Sequence, residues 1–190
     1  MSGDRSLMHR IQAGDVAALQ EVMQEYWHPL VAYATRLLSD ADEAEDVVQE
    51  VLLRLWAGRN EWTPTARLRG FLYQITRNLS LNELARAEVR QRWARHSGDK
   101  ARSAVPTPLQ VVERTELQEC LETVLEELAP RRREVFVLSR YHGFTYREIA
   151  EIMDVSPQTV ANQMSSALGQ IREGLAAHME RLSPGEGRGR

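Results

Sequence analysis

Apolar residues recur three and four positions apart along most of this 190-residue chain, and strand-like alternation is rare. The periodicity predicts an all-α protein. A short helix is expected from Ser6 to Ala13, ended by Gly14. Asp15 then caps a longer helix containing Val16, Leu19, Val22, Met23, Tyr26, Trp27, Leu30, Val31, Ala34, Leu37 and Leu38. Pro29 within it removes an amide and disfavours helical angles at His28, so a kink or break is expected there. Asp40 opens the next helix, with Glu43 three residues on to complete a capping box; Val47, Val48, Val51, Leu52, Leu55 and Trp56 give its buried face, and Gly58 stops it. Beyond a loop from Asn60 to Ala66, the stripe Leu68, Phe71, Leu72, Ile75, Leu79 predicts a fourth core-facing helix.

The pattern lapses after Arg95. HSGDKARSAVPTPLQ has Ser, Gly and paired prolines without apolar periodicity, so residues 96–107 read as a flexible linker between a domain at 1–95 and another at 108–182. The second domain opens with the stripe Val112, Leu117, Leu121, Val124, Leu125, Leu128. PRRREVFVLSRYHG follows, with Pro130 at a first helical position and Gly143 as a left-handed stop. In FTYREIAEIMDVSPQTVANQMSSALGQIREGL, Thr145 and Glu148 form a capping box, Asp154 and Val155 make a turn, and Ser156 caps a further helix with Pro157 at its first position. Two short helices joined by so tight a turn are a helix-turn-helix, with Asp154 expected to take up the conformation usually left to glycine. The last helix is expected to bury Val160, Met164, Ala167, Leu168, Ile171 and Leu175. The tail at 183–190, SPGEGRGR, is expected to be disordered.

Polar residues sort by sign as sharply as the apolar ones sort by face. The third helix carries Asp42, Glu45, Asp46, Gln49 and Glu50 outside, and no Lys or Arg lies between Asp40 and Glu50 to offset them. Such a face is either solvated surface or a match for a basic partner. The fourth helix turns Arg69, Arg77, Asn78, Asn82, Arg86 and Arg90 outward, near Trp62, Tyr73 and Trp93. Guanidinium groups hold phosphate, carboxamides read base edges and aromatic rings stack on unpaired bases, so this face suits a nucleic acid. The formal net charge of −3 hides this division: residues 1–58 hold ten acids against four arginines, residues 59–95 eight arginines against three glutamates. In the recognition helix Gln158, Thr159, Asn162, Gln163 and Ser166 face outward, and carboxamides suit adenine edges. Arg131, Arg132 and Arg133 crowd a helix start against its dipole, which a phosphate opposite them or plain solvation would each accommodate.

Several chemistries drop out. The single cysteine, Cys120, permits no intrachain disulfide or cysteine-based zinc site and reads as a buried thiol. Glu25 and His28 have the spacing of a di-iron helix pair, but no second pair accompanies them, and His9, His28, His96, His142 and His178 do not cluster. No phosphate loop, nucleophile motif or cofactor signature is present, so neither a metal, a cofactor nor enzymatic activity is expected. Nowhere do eighteen apolar residues run together, and a cytoplasmic location is expected.

AEDVVQEVLLRLW and LRGFLYQITRNLSLNELAR together resemble region 2 of bacterial sigma-70 family factors, in the compact extracytoplasmic-function (ECF) group. The helix-turn-helix resembles region 4 of the same factors. The resemblance implies that Asp42, Asp46, Gln49, Glu50 and Leu53 dock on the coiled coil of the largest subunit of core RNA polymerase. It implies that Asn60, Trp62, Thr63, Arg77, Asn78, Asn82 and Arg86 handle the minus-ten promoter element as separated strand. Arg147, Ser156, Gln158, Thr159, Asn162, Gln163, Ser166 and Arg172 then bind the minus-thirty-five element, and the second domain meets the flap of the second-largest subunit. Ala161, Gln163 and Ser166 stand where members usually carry basic residues. The family also implies an anti-sigma or other regulatory partner, often at the membrane. A stand-alone helix-turn-helix regulator is the alternative.

Overall fold

The computed structural model describes residues 2–61, 67–96 and 116–182, and every regular element among them is helical. They form two compact units, the first of four helices and the second beginning beyond residue 107. In the first, α1 (Ser2–Gln12) leads to α2 (Val16–Leu38), α3 (Ala41–Ala57) and α4 (Leu68–His96). The expected linker from residue 97, the tail at 183–190, Val112 and loop residues 62–66 lie outside the described residues.

α1 starts four residues earlier than the apolar pattern predicts, with Asp4 in its first turn where a carboxylate suits the dipole. Gly14 takes a φ of +81°, reversing the chain. Asp15 then accepts from the Ala17 and Ala18 amides at 2.9 and 3.4 Å and binds Arg10 at 2.7 Å. That guanidinium holds the Asp15 carboxyl below the usual carboxylate range. α2 runs unbroken through Pro29, so of the kink or break expected there the break does not occur. Pro29 and Glu25, whose carbonyl loses its donor, both lie on the exposed side, while Tyr26, Leu30, Tyr33 and Ala34 anchor the buried side across the same turns. Ser39 ends α2 in the left-handed region, and the Asp40 side chain accepts from the Glu43 amide at 3.0 Å to open α3.

α3 buries Ala44, Val47, Val48, Val51, Leu52 and Leu55 against α2 and α4. The buried line of α4 is Leu68, Leu72, Tyr73, Thr76 and Ser80, rotated from the aliphatic stripe so that Phe71, Ile75 and Leu79 are half-buried. The rotation brings the Tyr73 ring 5.2 Å from that of Tyr33. Thr76 Oγ1 answers the Leu72 carbonyl at 2.8 Å, whereas the buried Ser80 hydroxyl finds no partner among the described residues. From Leu81 to Trp93 no residue of α4 is buried.

The second unit comprises α5 (Glu116–Glu127), α6 (Pro130–Arg140), α7 (Tyr146–Met153) and α8 (Pro157–Leu182). α6 buries the five consecutive residues Glu134–Leu138, as a helix wrapped on most sides by its neighbours does. α5 and α8 approach so closely that a Cβ on Gly174 would meet Val124 Cγ2 at 2.7 Å. The capping box of α7 is complete, Thr145 N donating to Glu148 Oε2 at 2.9 Å and Glu148 N to Thr145 Oγ1 at 3.3 Å. Asp154 makes the turn with φ 53° and ψ 55°, as the sequence predicts. Of the residues expected inside α8, Val160, Met164, Ala167 and Ile171 are buried, but Leu168 is 36% exposed and Leu175 half-buried. Among the described residues no helix is long and apolar enough to cross a membrane.

Candidate functional site

Three surfaces carry the predicted residues. On α3, Asp42, Asp46, Gln49, Glu50 and Leu53 fall at spacings of four, three, one and three, which place them on one side of the helix. Asp42, Asp46 and Gln49 are exposed, and Leu53 is 64% exposed, an apolar end to an acidic strip. The strip is not wholly uncompensated, as the absence of bases up to Glu50 had suggested. Arg54, one turn on, binds Glu50 Oε1 at 2.7 Å. The i to i+4 spacing of Glu50 and Arg54 carried that signal. The free charge therefore centres on Asp42 and Asp46.

On α4, Asn78, Asn82 and Arg86 stand four apart and exposed, a single line of carboxamides and guanidinium with Arg77 half-buried beside it. Asn60 is exposed just past the end of α3, while Trp62 and Thr63 lie outside the described residues. Of the aromatic rings expected near this face, the two described ones, Tyr73 and Trp93, do not act alike. Tyr73 is 1% exposed, and burial pushes its hydroxyl up to about 12, so it is a core residue and no stacking platform. Trp93 stands 72% exposed near the far end of α4. Arg59, counted among the basic residues, turns back to donate to the Trp56 carbonyl at 2.8 Å with its guanidinium 4.6 Å from the Trp56 ring centre. It caps α3.

One residue on this face was missed. Glu83 takes Arg90 on Oε1 at 2.9 Å and Arg86 on Oε2 at 3.3 Å. Its carboxyl is held below the usual range, chiefly by the Arg90 hydrogen bond. Its i+3 and i+7 spacing to the two arginines is visible in the sequence, but a count of charge shows only the positive excess.

On the helix-turn-helix, the Ser156 hydroxyl accepts from the Thr159 amide at 3.0 Å and meets the Thr159 hydroxyl at 2.8 Å, so both serve the start of α8. Gln158 donates to Asn162 at 3.0 Å across one turn, which fixes two carboxamides side by side and leaves each with further polar atoms for a base edge. Gln158, Asn162 and Ser166 are exposed, Thr159 and Gln163 half-buried, and Arg147 on α7 exposed. Arg172 is also exposed, but about 21 Å along the axis from Gln158 at 1.5 Å per residue. The arginine triplet does not point outward as a phosphate clamp. Arg133 donates to the carbonyls of Glu126 and Leu128 at the end of α5, Arg132 binds Gln170 at 3.1 Å, and Arg131 alone is exposed. Unsatisfied carbonyls at a helix end attract cations, which explains a basic residue at this junction. Among the described residues no three metal-ligating side chains converge.

Known proteins match the chain in both units. The family model described as Sigma-70 region 2 matches residues 22–90, and that described as Sigma-70, region 4 matches residues 118–171. The chain is 30% identical over 164 residues to the ECF RNA polymerase sigma factor SigL of Mycobacterium tuberculosis, covering 84% of this chain and 90% of that one. It is 25% identical over 180 residues to the RNA polymerase sigma-H factor of Pseudomonas aeruginosa, 90% and 93% of the two chains. Among solved structures, the sigma factor RpoE bound to the anti-sigma factor NepR from Bartonella quintana superposes with a TM-score of 0.64 at 26% identity, covering 83% of this chain and 96% of that one.

Proposed function

Because the chain belongs to the ECF group of the sigma-70 family, we propose that it binds core RNA polymerase, brings it to promoters with two spaced elements, and helps separate their strands. The work is binding work: no chemical step is assigned to the chain itself. Asp42, Asp46, Gln49 and Leu53 on α3 form the strip for the coiled coil of the largest subunit, and the second unit meets the flap of the second-largest. Asn78, Asn82, Arg77 and Arg86, with Asn60, take the minus-ten element as separated strand. Capturing a base from a duplex costs a few kcal/mol of unstacking, which carboxamide hydrogen bonds and ring stacking must repay. In the second unit Gln158, Asn162 and Gln163 read the minus-thirty-five element, with Arg147 and Arg172 on phosphates.

The observation that carries this reading is the division of labour in one chain, an acidic strip on α3 beside a carboxamide and arginine line on α4, with a helix-turn-helix beyond. A lone helix-turn-helix regulator would have no use for the first unit. Because RpoE is described in complex with an anti-sigma factor, a regulatory protein that sequesters this chain belongs to the same proposal. Sequencing transcripts made by core polymerase with and without the chain tests it. New start sites sharing two spaced elements are expected, and their absence would reject the reading.

A further inference from the structure

Glu83 stands out on α4 because two cations converge on one carboxylate. Each oxygen takes one arginine, Oε1 holding Arg90 at 2.9 Å and Oε2 holding Arg86 at 3.3 Å. The Glu83 side chain is 25% exposed, against 58% for Arg90 and 74% for Arg86, so the carboxylate lies beneath a pair of outward guanidinium groups. The Glu88 and Arg92 pair on the same helix is, by contrast, about 70% exposed on both sides, as solvated surface residues are. With Glu83 ionised, the three side chains sum to one positive charge rather than two.

We propose that Glu83 is an electrostatic attenuator of the α4 face, lowering the sequence-independent affinity of Arg86 and Arg90 for nucleic-acid phosphates. The proposal rests on the reading above that this face binds promoter DNA. A phosphate approaching either arginine meets a carboxylate already in place, so part of the gain from each new contact is lost to repulsion and to donors already committed. The loss falls on every sequence alike, because phosphates carry no sequence information. What remains to distinguish sites is the carboxamide line of Asn78 and Asn82. A polymerase carrying this chain meets very many non-promoter sites for each promoter, and weakening the phosphate term shortens its stay on all of them.

The test is a salt titration of DNA binding by the full chain assembled with core polymerase, on poly(dT) strands and on a mixed-sequence duplex. Variants E83Q, E83D, R86A and R90A are compared, with helix content followed by circular dichroism. Under the proposal E83Q binds both probes more tightly and steepens the slope of log K against log salt by about 0.7 on single strands and about 0.9 on duplex, the release of one further counterion. E83D keeps the charge and the wild-type slope, while R86A and R90A each flatten it. A merely structural Glu83 cannot yield tighter binding on removal of its charge. If the arginine variants flatten the slope and E83Q leaves it unchanged or flatter, the attenuator is rejected and the α4 reading stands. If none of the four moves the slope, the α4 reading falls and the attenuator with it.

Discussion

Asp46 and Glu50 sit one turn apart on the same side of α3, yet their surroundings differ. Glu50 is tied to Arg54, whereas Asp46 is exposed and shows no such pairing among the described residues. The two carboxylates are therefore unequal candidates for a basic partner. Reversing Asp46 to Lys is expected to weaken binding to core polymerase by about 1 kcal/mol, roughly fivefold, the scale of one exposed charge pair. R54A, which frees Glu50, is expected to leave binding equal or tighter. Titration of labelled chain against core enzyme measures both, with circular dichroism to verify the fold; a D46K variant that binds as wild type would remove Asp46 from the interface. The same scale shows where residue patterns mislead. Arg59 and Arg133 add to any count of basic residues, but each donates to the carbonyls of a helix end and contributes to the fold. A count of charge cannot tell a capping arginine from a phosphate-binding one, since a guanidinium is charged in either role and only the direction of the side chain differs.

Helices were legible wherever local chemistry sets their ends. Asp15, Asp40, Thr145 and Ser156 cap as expected, and Asp154 makes the left-handed turn that its short polar side chain tolerates. What the sequence concealed was rotation and continuity, which tertiary packing decides. α4 turns Thr76 and Ser80 into the core beside Tyr73, and α2 passes through Pro29. Two substitutions test this packing. Ser80 has no hydrogen-bond partner among the described residues, so S80A removes a buried hydroxyl that water once served; thermal unfolding is expected to show stabilisation of about 1 kcal/mol. In the second unit, G174A drives a methyl group against Val124 Cγ2, 2.7 Å from the new carbon. A loss of about 1–3 kcal/mol is expected from overpacking, reduced by the roughly 1 kcal/mol that Ala gains over Gly in a helix, and the added change V124A should restore much of it. Equal stability of G174A and wild type would mean that α5 and α8 separate at little cost.

At the scale of the molecule, two units share one chain, and among the described residues the carboxamide lines proposed to read bases carry no charge of their own. Gln158, Asn162 and Ser166 are uncharged, and Glu83 offsets part of the positive charge on α4. Free chain is therefore expected to bind promoter duplex weakly. Selectivity is expected to emerge when polymerase holds both units over one promoter, since tethering converts the second contact into an intramolecular one at high effective concentration. Fluorescence anisotropy on promoter and scrambled duplexes, with and without core enzyme, tests this. Tight and selective binding by the free chain would favour an independent regulator.

The outer end of α4 has a consequence for motion. From Leu81 to Trp93 the helix buries no residue, so its backbone bonds there are closed by local propensity and by surface pairs such as Glu88 with Arg92. A segment of that kind opens by fraying, without waiting for the whole unit to unfold. Its amides are expected to exchange with deuterium orders of magnitude faster than those of residues 72–80 in the buried part of the same helix, and faster still in high salt. Under the proposed function, Arg86 and Trp93 would meet nucleic acid on a support that is ordered only part of the time. Some of the binding energy goes to completing the helix, and protection of these amides by DNA would record that ordering directly.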